Sequence, residues 1–231
     1  MSKQKAIVLL SGGMDSTTLL YHLVAEGWEV EALSILYGQR HARELDFAKR
    51  LCERGQVTHT VCDLGVLSKV LGGSSQTDST IPVPSGHYAD PVMRITVVPN
   101  RNMILLAVAA AKAISVGCAT VAYAAHVGDH AVYPDCRPEF ILALQGALNL
   151  CHYDGGVNLL APFSQMSKAD IVKWGRQLHV PYYLTYSCYT GKEKSCGICG
   201  TCVERLQAFW AAGAEDPIQY EDRAYARTIN P

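Results

Sequence analysis

The chain has 231 residues, 49% of them hydrophobic, which suits one ordinary domain core with at most a small appendage. Lys and Arg number 20 against 21 Asp and Glu, so the net charge of -1 implies no broad basic face for nucleic acid. The start carries no secretory or transit pattern and the longest apolar run, near 104–116, is broken by Lys112, so a cytoplasmic protein without membrane contact is expected.

In chain order, residues 6–10 read as a buried strand and 15–26 as a helix, followed by a strand at 30–36, a helix at 42–54 and a strand at 57–61. That alternation predicts a doubly wound α/β fold on a parallel sheet with crossover helices. Residues 71–90 are rich in Gly, Ser and Pro without apolar period, and read as a long binding or lid loop. Next come a helix at 102–116, a strand at 120–124, a polar loop at 126–137, and helices at 138–150 and 168–178. A cysteine-rich stretch and a helix at 203–212 close the chain, giving a main unit at 1–183 and a small C-terminal segment at 184–231.

The junction after the first strand reads Leu10-Ser11-Gly12-Gly13-Met14-Asp15-Ser16-Thr17. Glycines between a strand and a helix let backbone N–H groups approach a phosphate closely, and the helix N-terminus adds partial positive charge. The stretch therefore reads as an anion cradle, with Asp15 placed as a Mg²⁺ partner. Neither G-x-x-x-x-G-K-[ST] nor G-x-G-x-x-G is present there, which argues against γ-phosphate transfer and dinucleotide binding.

Of the nine cysteines, Cys188, Cys196, Cys199 and Cys202 cluster while the others are scattered. An odd count with one cluster predicts free thiols and a metal site. Four thiolates at short spacing fit closed, tetrahedral, structural Zn²⁺. Gln39, Arg40 and His41 follow the second strand, where open α/β sheets place ligands.

The Ser11-to-Ser16 loop resembles the S-G-G-x-D-S loop of the PP-loop ATP pyrophosphatases, which release pyrophosphate as an α-phosphate is attacked. The segments "YGQRHARELDFA", "IPVPSGHY", "VVPNRNMILLAVAAA", "YPDCRPEF", "SKADIV" and "SCYTGKEKSCGICGTCVER" further resemble the 7-cyano-7-deazaguanine synthase family of the queuosine pathway, across nearly the whole chain. The resemblance implies ATP-dependent conversion of 7-carboxy-7-deazaguanine and ammonia to the nitrile, by a zinc-containing homodimer. It also implies that Lys168 and Arg205 are cations for charge developing on phosphorus, while Arg101, opening a helix after Pro99, is expected by its position to face the nucleotide and bind substrate. Tyr133, Asp135 and Arg137 are expected to read the guanine-like edge, a carboxylate being suited to an N–H/NH₂ face. In the loop before them some members carry "CETDFSG" where this chain has "HVGDHAV", a subgroup difference at His126, Asp129 and His130.

Three other readings share these features. The activated acid could pass to another amine, such as a protein N-terminus. The chain could be a tRNA-modifying adenylase, such as a thiolase, which would need a basic RNA surface and a sulfur-handling cysteine, or a zinc-stapled nucleotide-binding module without catalysis.

Overall fold

The computed structural model of the protein describes residues 3–229. Five strands, β1 (Lys5–Leu9), β2 (Glu29–Leu36), β3 (Thr58–Asp63), β4 (Thr120–Ala122) and β5 (Asn158–Leu160), form one sheet in the order β3-β2-β1-β4-β5. All four pairings are parallel, as crossover connections require.

Alternation along the central strand explains the two helical layers. Ala6, Val8 and Leu10 point to one face, against Leu19, Leu20 and Leu23 of α1 (Met14–Ala25), Ala48 and Cys52 of α2 (Glu44–Gly55) and Ile171 of α5 (Lys168–Gln177). Ile7, with Leu33 and Ile35 of β2, points to the other face, against Leu106, Ala109 and Ala113 of α3 (Arg101–Ser115) and Leu144 and Leu148 of α4 (Pro138–Leu148). Strands buried on both faces have no polar side to show water, which is why β1 reads as a continuous apolar run.

The chain winds outward from β1 to β3, then crosses back through α3 to β4 on the other side of β1. The order therefore reverses between β1 and β4, and a crevice opens at their carboxyl ends. The Ser11–Ser16 loop leaves β1 at that point.

The expected elements are present with shifted ends, and two differences matter. β5 was not read from the sequence; its three residues are too short to carry a period, and it is defined by its ladder to β4. The last helix, α6 (Gly200–Ala211), starts at 200 and not 203, because Cys199 is its N-cap and the cysteine stretch runs directly into its first turn. The 71–90 segment has no regular element but is packed in place: Ser74, Ser75 and Gln76 are fully buried, and the Arg40 guanidinium donates to the carbonyls of Asp78 (2.8 Å) and Ile81 (3.1 Å).

Candidate active site and thiolate cluster

The glycine loop holds its own shape. Leu10 N–H extends the β1–β2 ladder to Leu33 O (2.9 Å), after which Ser11 Oγ accepts from Gly13 N–H (3.1 Å) and Thr17 Oγ1 donates to Gly13 O (2.7 Å). Gly12 has φ +89°, and a Cβ there would fall 2.2 Å from the Glu44 carbonyl oxygen, so α2 packs directly on the loop and only glycine fits. Gly13 faces the crevice, where the nearest atom to an added Cβ is Ser11 Oγ at 3.2 Å. Met14, Asp15 and Ser16 form the first turn of α1, whose N–H groups have no intrahelical acceptor and are free for an anion.

Beside the loop lies a dense charge cluster. Lys168, at the start of α5 and buried, places Nζ 2.5 Å from Glu204 Oε2 and 3.3 Å from Asp15 Oδ2. Burial alone would lower its pKa, but the carboxylates of Asp15, Glu204 and Asp129 outweigh that and hold it above the ordinary lysine value. Asp15 lines the crevice and its Oδ1 is buried without a partner, an unsatisfied carboxylate oxygen that fits a Mg²⁺ ligand. His126 Nε2 stands 3.5 Å from Asp129 Oδ2 and 3.9 Å from Asp15 Oδ2, while its Nδ1 accepts from Gly128 N–H (3.0 Å). Asp129 accepts from Tyr88 O–H (3.0 Å); burial raises its pKa, and the charges of His126 and Lys168 with the Tyr88 bond bring it below the usual carboxylate value.

At the end of β2 the sequence candidates divide. His41 and Arg101 line the crevice. The Nε of Arg101 donates to Asn102 Oδ1 (3.3 Å) and its guanidinium lies 5.4 Å above the Tyr133 ring; among the described residues it forms no ion pair, so it is a half-buried cation with capacity to spare. Gln39 is turned to support: it accepts from Tyr37 N–H (2.8 Å) and donates to Ile35 O (3.2 Å) and Glu44 Oε1 (3.3 Å). Arg40 anchors the 71–90 segment as described above. Tyr133 O–H is shared with Thr96 Oγ1 (2.8 Å) and Tyr189 O–H (2.9 Å). Asp135 accepts from Asn102 N–H (2.8 Å) and so caps α3, and the exposed Arg137 donates from Nε to His130 O (2.9 Å). Glu44, Gln76, Tyr123 and Asp129 also line the crevice, and sequence reasoning did not place them there.

Cys136 is the one cysteine lining the crevice among the described residues. Burial pushes its thiol well above the ordinary cysteine value, so it is a neutral donor and acceptor and a poor nucleophile.

The thiols of Cys188, Cys196, Cys199 and Cys202 are all buried, with sulfur atoms within 4.8 Å of one another. A tetrahedral Zn–S length near 2.3 Å puts sulfurs about 3.8 Å apart, and Cys196 Sγ is 4.0 Å from Cys202 Sγ. Backbone N–H groups of Cys196 and Cys199 donate to Cys188 Sγ and Cys196 Sγ (both 3.3 Å), the outer contacts that orient thiolate ligands. The set fits a closed metal site with no place for water. Arg205, one turn further along α6, is wholly buried: Nε and Nη2 grip Asp216 (2.6 and 2.9 Å), Nη2 also reaches Tyr182 O (3.2 Å), and Nη1 reaches Thr185 Oγ1 (2.8 Å) and Ser187 Oγ (3.4 Å).

A glycine loop without the P-loop lysine lies at the reversal of a doubly wound parallel sheet, the arrangement expected from the resemblance of Ser11–Ser16 to the loop of the PP-loop ATP pyrophosphatases. A solved 4-thiouridine synthetase–RNA complex with bound ATP shares the fold, with TM-score 0.51 over 94% of this chain and 47% of that chain at 15% identity. The family model for queuosine biosynthesis protein QueC matches residues 5–213, and the chain belongs to that family. It is 50% identical over 217 residues to the 7-cyano-7-deazaguanine synthase of Caldicellulosiruptor bescii (94% of this chain, 97% of that one). It is 51% identical over 217 residues to that of Methanoregula boonei (94% and 99%).

Proposed function

We propose that the chain converts 7-carboxy-7-deazaguanine and ammonia to 7-cyano-7-deazaguanine at the expense of ATP. A carboxylate oxygen attacks the α-phosphorus of ATP and pyrophosphate leaves; ammonia then displaces AMP and sheds a proton, giving the amide. The amide oxygen attacks a second ATP, pyrophosphate leaves again, and departure of AMP with the two nitrogen-bound protons forms the nitrile. Both halves need one cradle, because neither carboxylate nor amide oxygen leaves without activation.

The observation that carries this reading is the pairing of buried Lys168 with Asp15, a crevice-lining residue beside the glycine loop whose Oδ1 has no partner. The loop and the first turn of α1 hold the pyrophosphate, and Lys168 neutralises charge that builds as it departs. Arg101, a half-buried cation without an ion-pair partner among the described residues, takes the acid group of the substrate. Asp15 would hold Mg²⁺, which supplies further positive charge at the leaving phosphates. The four thiolates would hold one Zn²⁺ per chain in a structural role. Arg205, its fork filled by Asp216, Tyr182, Thr185 and Ser187, positions the wall of the crevice. A sulfur-transferring role has no support in the crevice, since Cys136 is held neutral.

The enzyme acts in the cytoplasm on small molecules as a homodimer. Among the described residues no helix is long and apolar enough to cross a membrane, and the exposed Leu142 and Leu150 on and beyond α4 offer a surface for a second copy.

The test is stoichiometry. Two ATP should be consumed per nitrile, with AMP and pyrophosphate as products and the 7-amido compound as an intermediate. The amide supplied alone should turn over with one ATP and no ammonia. An inert amide alongside a consumed acid would put transfer to another amine in its place.

A further inference from the structure

Besides Asp15 Oδ1 and the Tyr123 hydroxyl, two further buried polar atoms on residues lining the crevice have no hydrogen-bond partner, and their segments are joined through the backbone. Gln76, in the packed segment between β3 and α3, is fully buried and lines the crevice; its Nε2 reaches Tyr133 O–H (3.4 Å) while Oε1 is unpartnered. Its carbonyl accepts from Arg40 N–H (2.7 Å), which brings it next to His41. His41 is also buried, lines the same crevice, and has an unpartnered Nδ1. Buried polar atoms left unsatisfied are costly, and two on residues that line one crevice point to a ligand that satisfies both.

The state of His41 fixes what it offers. Burial, with the nearby Arg101 charge, lowers its pKa to about 3, so the ring is neutral. Its Nε2 faces Glu44 Oε1 at 3.6 Å. With the proton on that side, Nδ1 presents a lone pair. Aromatic rings surround the pair: Tyr189 is 5.7 Å from the His41 ring, its hydroxyl meets that of Tyr133 at 2.9 Å, and Tyr88 is 6.1 Å from Tyr133.

Resting on the deazaguanine-acid reading above, we propose that Gln76 Oε1 and His41 Nδ1 form the subsite that reads the amino-pyrimidinone edge of the base. They accept from its ring N–H and its exocyclic NH₂, with the tyrosine rings lining the plane. Adenine would place an acceptor nitrogen where this subsite has a second acceptor, so the arrangement selects a guanine-like base and leaves ATP to the glycine loop side. The sequence pointed to Asp135 for this task, but that carboxylate caps α3.

The experiment compares the deazaguanine acid with an analogue lacking the 2-amino group. Wild-type enzyme should favour the acid roughly 10- to 100-fold in kcat/KM, the loss expected when a site built to accept a hydrogen bond is left unpaired. Gln76→Leu should bring the acid down to near the analogue while KM for ATP stays within about twofold. Gln76→Glu, which keeps an acceptor, should restore the preference. If Gln76→Leu fails to fold in a thermal melt, the wild-type comparison and Gln76→Glu decide the matter. Equal use of both compounds by wild type, an undiminished preference in Gln76→Leu, or a rise in KM confined to ATP would each overturn the assignment. An enzyme inert toward the acid would overturn the parent reading and this one with it, whereas an active but indiscriminate one overturns this one alone.

Discussion

Replacing Arg205 with Met separates a structural cation from one that acts on phosphorus. The side chain is 0% exposed, and its donors are spent on Asp216, Tyr182, Thr185 and Ser187. Met fills much of the volume but leaves Asp216, whose side chain is itself fully buried, with only Tyr220 O–H (2.5 Å) and Ile218 N–H (3.3 Å) as partners. Stranding one partner of a buried ion pair costs about 3–5 kcal/mol. At about 2–4 °C per kcal/mol for a chain of this size, Tm should fall by roughly 6–20 °C. Arg205→Met with Asp216→Leu should recover part of the loss, because the uncompensated charge is then gone. Circular-dichroism melts give the stability, and pyrophosphate release well below the melt gives the activity, which should fall less than about tenfold since no reacting atom loses a contact. A variant with unchanged Tm and pyrophosphate release down by about a thousandfold or more would show that Arg205 meets the phosphates directly.

Three further outcomes follow from the same geometry. Metal analysis should find one zinc per chain, with Cys199→Ser losing metal and, because the bound metal cross-links this stretch, lowering Tm. Gly12→Ala should lower both Tm and pyrophosphate release, since its Cβ would collide with the Glu44 backbone, whereas Gly13→Ala should keep its Tm and lose activity; Asp15→Ala should abolish release at limiting Mg²⁺. Stability should depend on pH through His41 and Glu44. Burial lowers His41 to about 3, so its contribution is lost as pH falls below the ordinary histidine value; burial raises Glu44 to about 8, so its contribution is lost as pH rises from the ordinary carboxylate value through 8. The two slopes oppose each other between about 4.5 and 6.5, giving a plateau with a fall on each side, and Glu44→Gln should remove the alkaline fall in urea melts.

The parts of the site legible in the sequence are those whose function is carried by neighbours in the chain. The glycine loop works through consecutive N–H groups, and the four thiolates fall within fifteen residues, so spacing alone displays both. Asp135 shows the opposite case. A carboxylate in a polar loop looks available, yet its partner is the Asn102 N–H, 33 residues earlier, and a non-local cap leaves no local signature. Gln76 is hidden for the same reason: the 71–90 segment has a loop's composition, and only its packing under Arg40 and Tyr133 buries that side chain. Glu44 does carry a weak signal, an acid one helical turn after His41 at the start of α2, but propensity assigns it to an ordinary first-turn glutamate. Lys168 presents as an exposed helix lysine until α6 brings Glu204 to it.

The thiolate cluster and the nucleotide crevice are mechanically one object. Tyr186 N–H donates to Gly12 O (2.9 Å), tying the segment before the first metal cysteine to the glycine loop. Tyr186, Ser187 and Tyr189, which flank Cys188, and Thr201 in the first turn of α6 line the crevice, and Arg205 grips Thr185 and Ser187 from behind. Glu204, on the same helix, fixes Lys168. A short segment of this kind buries too little apolar surface to hold its shape unaided, so a metal cross-linking its four sulfurs would set the wall beside the glycine loop. Metal loss should therefore weaken nucleotide binding before it unfolds the sheet, because the core on both faces of β1 contains none of the four cysteines.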